Sequence, residues 1–205
     1  MNFDEYEENP LEETLIQKGT RAFQQTIQML RARGYTDFDR LSSSSRIESE
    51  EDLHYIASSD EDNQKPILVY WGIGPKFGVN DVRSMLVKCE EKQLTRAMLV
   101  TVEPIKSQTQ TRLIHEAKKG FRVELFALDE LQIDFSKHMY VPPHEVLLPE
   151  EVKELLEAYQ IKYVTQLPKI LTSDPMVRYL GLKQKQVVRI IRPGNQIHYR
   201  VVMGR

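Results

Sequence analysis

Apolar positions recur along this chain with two different periods, and the places where the period changes mark out its elements. From Leu11 to Arg33, the residues Leu15, Ile16, Phe23, Ile27 and Leu30 fall at helical spacing, and Gly34 closes the helix. Ile67 to Trp71 is a short unbroken apolar run, which predicts a buried strand. Val79 to Gln93 returns to the helical period, and Arg96 to Val102 reads as a second strand. Thr109 to Lys119 reads as a helix stopped by Gly120, and Arg122 to Phe126 as a third strand. Strand, helix, strand, helix, strand predicts parallel pairing through right-handed crossovers, hence a small α/β layer. Between the first helix and the first strand, residues 36–65 carry Ser42 to Ser45 and a string of acids. That composition predicts a loop or a poorly ordered insertion.

A second domain is predicted from near Asp134. Val141-Pro142-Pro143 gives it an extended approach, and Pro149 to Tyr159 reads as its first helix. Asp174 is a natural N-cap, Pro175 suits the first helical position, and Gly181 stops that helix one residue after Leu180. Val187 to Arg192 then reads as a strand, Pro193-Gly194-Asn195 as a turn, and Ile197 to Met203 as the returning strand of a hairpin. The expected class is α/β, α+β overall. An N-terminal three-layer α/β domain with a small mixed sheet spans 1–133, with an acidic tail at 1–10. A small α+β domain with two helices and a terminal β-hairpin spans 134–205.

The 205 residues are 40% hydrophobic and 28% charged, the profile of an ordinary globular protein with a sizeable core. Net charge is −2, so the balance as a whole selects no partner. Its distribution does. Residues 1–13 hold six acids and no Lys or Arg, whereas 158–205 hold nine Lys or Arg against the single acid Asp174. A basic C-terminal third suggests an acidic partner surface, either protein or nucleic acid, although a solvated basic face would look the same. The lone cysteine, Cys89, excludes an intramolecular disulfide and a multi-cysteine zinc site, and it reads as a small buried apolar residue. The first twenty residues show neither an apolar run nor a basic start, and no stretch is long and apolar enough to span a bilayer. An intracellular, reducing compartment is expected.

No constellation here is arranged for chemistry. Gly72-Ile73-Gly74-Pro75-Lys76-Phe77-Gly78 lies where a phosphate loop would lie, but it lacks the Gly-Lys-Ser/Thr ending, and Pro75 removes a backbone donor. A tight turn is the better reading. The five histidines (His54, His115, His138, His144, His198) show no ligand-like clustering, and structural histidines bonded to backbone are expected. No Gly-x-Ser-x-Gly elbow occurs. Asp81, Glu103 and Lys106 near strand ends could serve a metal-dependent nuclease, two carboxylates holding the metal and the lysine steadying water. In Glu103-Pro104-Ile105-Lys106 the lysine follows the acid by three residues, with a proline between, where convergence needs two, so the side chains should not converge. No catalytic residue, metal ligand or cofactor is expected.

Gln166-Leu167-Pro168-Lys169-Ile170, Asp174-Pro175, Tyr179-Leu180-Gly181-Leu182, Val187 to Arg192 and Tyr199-Arg200 together resemble the C-terminal domain of the fifth subunit shared by the eukaryotic nuclear RNA polymerases. The archaeal counterpart consists of that domain alone. Val141-Pro142-Pro143-His144 resembles the family's Val-Pro-x-His, and Glu154-Leu155-Leu156 with Tyr159 its first helix. Arg33-Gly34-Tyr35, Pro75-Lys76 with Gly78, and Thr95-Arg96-Ala97 fall in the family's order. Lys185 stands where the family usually has Gly, the final turn is short, and the acidic segment after Tyr35 does not match. These departures, with the length, resemble the version carried by African swine fever virus, a large cytoplasmic DNA virus.

The resemblance implies a non-catalytic subunit of a multisubunit DNA-directed RNA polymerase, with no cofactor and no small-molecule substrate. Its partners would be the largest polymerase subunit, neighbouring small subunits and downstream duplex DNA within the assembled enzyme, with no membrane. The C-terminal domain would anchor through Arg178, Lys183, Arg189, Arg192 and Arg200. The N-terminal domain, nuclease-like in fold but not catalytic, would form part of the jaw. Lys106, Ser107, Gln108 and Thr109 align by position with the family's Thr-Pro-Ser-Ala loop near downstream DNA. Small polar donors at a helix start suit phosphate oxygens, and equally a plain capping loop. A viral member would lie in host cytoplasm and virion, a cellular one in the nucleus. A free-standing protein-binding adaptor is the first alternative, and a metal-dependent nuclease the second.

Overall fold

A computed structural model describes residues 10–39, 54–59, 65–72 and 77–204. The acidic tail at 1–9, most of the 36–65 segment and residues 73–76 of the glycine-rich turn lie outside the described residues. The chain divides into two units, 1–133 and 134–205.

In the first unit a five-stranded sheet runs in the order β1-β2-β3-β4-β5. Strands β3 (Ile67–Gly72), β4 (Arg96–Thr101) and β5 (Arg122–Ala127) pair in parallel, joined by helices α2 (Val79–Glu91) and α3 (Ser107–Lys118). The apolar runs in β3 and β4 are long because these strands are covered on both faces. Leu68, Tyr70, Ala97 and Leu99 meet Val82, Met85, Leu86 and Cys89 of α2 and Leu113 of α3. On the opposite face, Phe23 of α1 (Pro10–Ala32) packs its ring 5.5 Å from Tyr55 and 5.9 Å from Trp71. Helix, sheet, helix is the three-layer arrangement.

The segment 36–65 holds more order than its composition predicts. Asp37–Asp39 forms β1 and His54–Ser58 forms β2, each pairing antiparallel with its neighbour, so the sheet is mixed. β2 is only five residues, alternating half-buried and buried, with Tyr55 and Ala57 turned inward. Flanking serines and acids hide so short an alternation from any compositional reading. The His54 ring stacks on Tyr70 at 4.0 Å.

One charged cluster is built into this unit. Glu124 on β5 accepts from Arg33, just past α1, at 2.7 Å and from Arg96 on β4 at 3.2 Å, with Arg122 Nε at 3.4 Å. The Arg33 side chain is 2% exposed and Glu124 11%. Burial pushes the Glu124 carboxyl up, but the guanidiniums of Arg33 and Arg122, helped by the Arg33 hydrogen bond and by Arg96, outweigh it and hold the group below the usual carboxylate range.

The second unit is a four-stranded sheet in the order β6-β8-β9-β7. β8 (Val187–Arg192) and β9 (Gln196–Met203) form the expected hairpin, closed by Pro193-Gly194-Asn195 with positive φ at Gly194 and Asn195. The short strands β6 (His144–Val146) and β7 (Lys169–Leu171) flank it, three residues each and too brief to show a period. One face carries Val187 and Val201 against Leu155 of α4 (Pro149–Ala158). The other carries Val188, Ile190 and Val202 against Val177 of α5 (Pro175–Tyr179). Asp174 caps α5, accepting from Met176 N at 2.9 Å, with Pro175 at the first position. Gly181, at φ 63°, ends it: its N–H reaches Arg178 O and Leu182 N–H reaches Val177 O, both at 3.0 Å.

Candidate nucleic-acid and subunit interfaces

Lys106, Ser107, Gln108 and Thr109 form the start of α3, two residues earlier than the period predicts. Lys106 is the cap, since its carbonyl accepts from Gln110 N at 3.0 Å. The N–H groups of the next three residues therefore point out of the helix end, and no acidic side chain occupies the first turn. Ile105 and Thr109 are buried at 8% and 2% exposure, while Lys106, Ser107 and Gln108 between them are exposed. The buried pair pins the turn and the three exposed residues face solvent. Thr109 therefore does not share the exposed surface of the other three. Its place in the core follows from helical spacing to Leu113, and Ile105, a lone apolar residue among polar ones, is the signal for the other anchor.

Of the residues weighed for metal chemistry, Asp81 has another role. Asp81 Oδ2 accepts from Gly78 N at 2.7 Å, capping α2, and Glu103 is exposed in the bend after β4. Among the described residues no group of His, Cys, Asp and Glu is placed to hold a metal ion. His144 Nδ1 lies 2.7 Å from the Pro142 carbonyl and His138 Nδ1 accepts from Tyr140 N at 3.3 Å, both backbone contacts. Cys89 is buried, and burial, with Glu90 nearby, pushes its thiol up to about 12, so it stays protonated.

The five basic residues expected to anchor the C-terminal unit do not share one surface. Alternation along β8 and β9 sets Arg192 and Arg200 on the sheet face where α5 packs, and Arg178 lies on α5 itself. Arg200 Nη1 donates to the Lys169 carbonyl at 3.1 Å. Lys183 is exposed in the turn after α5. Arg189 is on the opposite face, where Nε and Nη2 reach Glu145 Oε2 at 2.8 and 2.7 Å and Nη1 lies 3.9 Å from Glu151. Glu150, Glu151, Glu154 and Glu157 all lie on α4. The α4 side thus mixes these glutamates with Arg189 and Lys153, while Arg178, Arg192 and Arg200 lie on the α5 side. Sequence order alone could not separate Arg189, because its partner Glu145 sits 44 residues away on β6.

Residues 133–202 match the family model described as RNA polymerase Rpb5, C-terminal domain. The "DNA-directed RNA polymerases I, II, and III subunit rpabc1" of Dictyostelium discoideum is 33% identical over 184 residues, 85% of this chain and 92% of that protein. The corresponding subunit of Caenorhabditis elegans is 32% identical over 156 residues, 74% of this chain and 73% of that protein. A "DNA-directed RNA polymerase subunit 5-like protein 1" of Arabidopsis thaliana is 31% identical over 179 residues, 81% of this chain and 84% of its own length. These matches define a class, the small subunits of DNA-directed RNA polymerase. Within it, the chain belongs to the Rpb5 family.

Proposed function

We propose that this chain is a non-catalytic subunit of a multisubunit DNA-directed RNA polymerase. Its C-terminal unit anchors it to the largest subunit, and its N-terminal unit forms part of the jaw over downstream DNA. The observation that carries the reading is the coincidence of the family match at 133–202 with a unit that has its own two-faced core. The anchoring set is Arg178, Lys183, Arg192 and Arg200, with Arg189 held in its own ion pair. Lys106, Ser107 and Gln108 present one charge and small polar donors to DNA phosphates, which fixes position without reading sequence.

Relatives in cellular organisms support a nuclear enzyme, while Lys185 and the short final turn support the viral version, in host cytoplasm and virion. An affinity-tagged full chain expressed in its native setting should travel in stoichiometric amount with two very large polymerase chains. Recovery alone, or with an unrelated acidic protein, would favour the free-standing adaptor instead.

A further inference from the structure

The segment before β6 and the far end of β8 enclose a groove of about 540 Å³. Met139, Tyr140, Pro142 and Pro143 line one wall, and Arg192 and Pro193 the other. Met139 is 83% exposed and Tyr140 80%. Neither is loosely held. Val141 N–H donates to His138 O at 2.8 Å, Tyr140 N–H to His138 Nδ1 at 3.3 Å, and Ile191 N–H to Pro143 O at 3.1 Å. Three prolines fix their own φ angles along the walls. Large apolar side chains displayed on a preformed frame mark a contact surface, because little conformational freedom is lost on binding.

Charge identifies the occupant. Among the described residues, Arg192 is the only charged one lining the groove, and its guanidinium has no carboxylate partner there. Arg189, three positions earlier and on the opposite sheet face, has Glu145 and Glu151. Arg192 also lies on the α5 side, continuous with Arg200 on the same sheet face. Resting on the polymerase reading, we propose that this groove receives an extended acidic segment of another polymerase subunit. An apolar side chain of that segment sits between Tyr140 and Pro193, and a carboxylate pairs with Arg192. Duplex DNA fits poorly, since one cation among proline, methionine and tyrosine offers little to a phosphate backbone.

The test places a benzoylphenylalanine photo-crosslinker at Tyr140 of the full chain within the assembled enzyme, followed by peptide mapping. The expected adduct is an Asp/Glu-rich stretch of another subunit. The double variant Tyr140→Ala, Arg192→Glu should lower recovery of the large chains about tenfold or more, the effect of losing a central contact. Tyr140→Phe should restore it when Arg192 is kept. Both side chains are exposed, so thermal unfolding of the double variant should match wild type. An adduct to DNA or within this chain would overturn the proposal, as would full recovery by the double variant. Failure of the wild-type chain to travel with the large subunits would overturn the polymerase reading and this inference together.

Discussion

Among the described residues, four other than glycine hold positive φ: Gln93, Gln160, Lys185 and Asn195. Gln93 and Gln160 end α2 and α4 with the same two hydrogen bonds that Gly181 makes after α5. Lys185 is the informative one. It stands where the resemblance implies a glycine, and it holds a left-handed backbone at φ 71°, with its N–H donating to Val202 O at 2.8 Å. A side chain in that region costs roughly 1 kcal/mol relative to glycine, so Lys185→Gly should stabilise the second unit by about that amount in urea titrations. Gly181→Val should destabilise it by more, because a β-branched residue resists φ 63° and the buried Leu182–Val177 contact depends on that turn. Equal stability for both variants and wild type would show that these turns relax without cost.

At the scale of elements, the sequence shows what is long or punctuated and hides what is short. The helices α2 and α4 and the β8–β9 hairpin are legible because period and turn chemistry agree along each of them. β1, β2, β6 and β7 are three to five residues each, and their pairing is decided by neighbours far along the chain. The Glu124 cluster is equally hidden, since Arg33, Arg96 and Arg122 converge on it from three elements. Its contribution has a sign. A carboxyl whose pKa is lowered by folding stabilises the fold above its unfolded value, about 4.3, and loses that contribution as pH falls through the lower folded value. Glu124→Gln leaves Arg33 buried without its anion, which should cost about 3 kcal/mol at pH 7. The difference from wild type should shrink as pH drops below the carboxylate range. A gap between the two proteins that stays constant from pH 7 to pH 3 would contradict this account of the cluster.

At the scale of the whole molecule, charge is partitioned and not large. With −2 overall and one exposed lysine at the α3 turn, the free protein lacks the field to hold duplex DNA by itself near physiological salt. Inside the polymerase, Lys106→Glu should speed loss of stalled elongation complexes and make the logarithmic salt slope shallower by about 0.9, one released counterion. Identical salt curves would make the turn a structural cap alone. The basic excess of the C-terminal third was legible in the sequence. How it divides between the two sheet faces became visible only when strand alternation separated Arg189 from Arg192 and Arg200.

The most direct measurement is capture of the largest polymerase subunit by each unit separately. Residues 134–205, with their own capped helices and two-faced core, should fold with the marginal stability of a small domain and retain the large subunit. Residues 1–133 should not. Capture by 1–133 alone would reverse anchor and jaw, and contradict the proposed function at its centre.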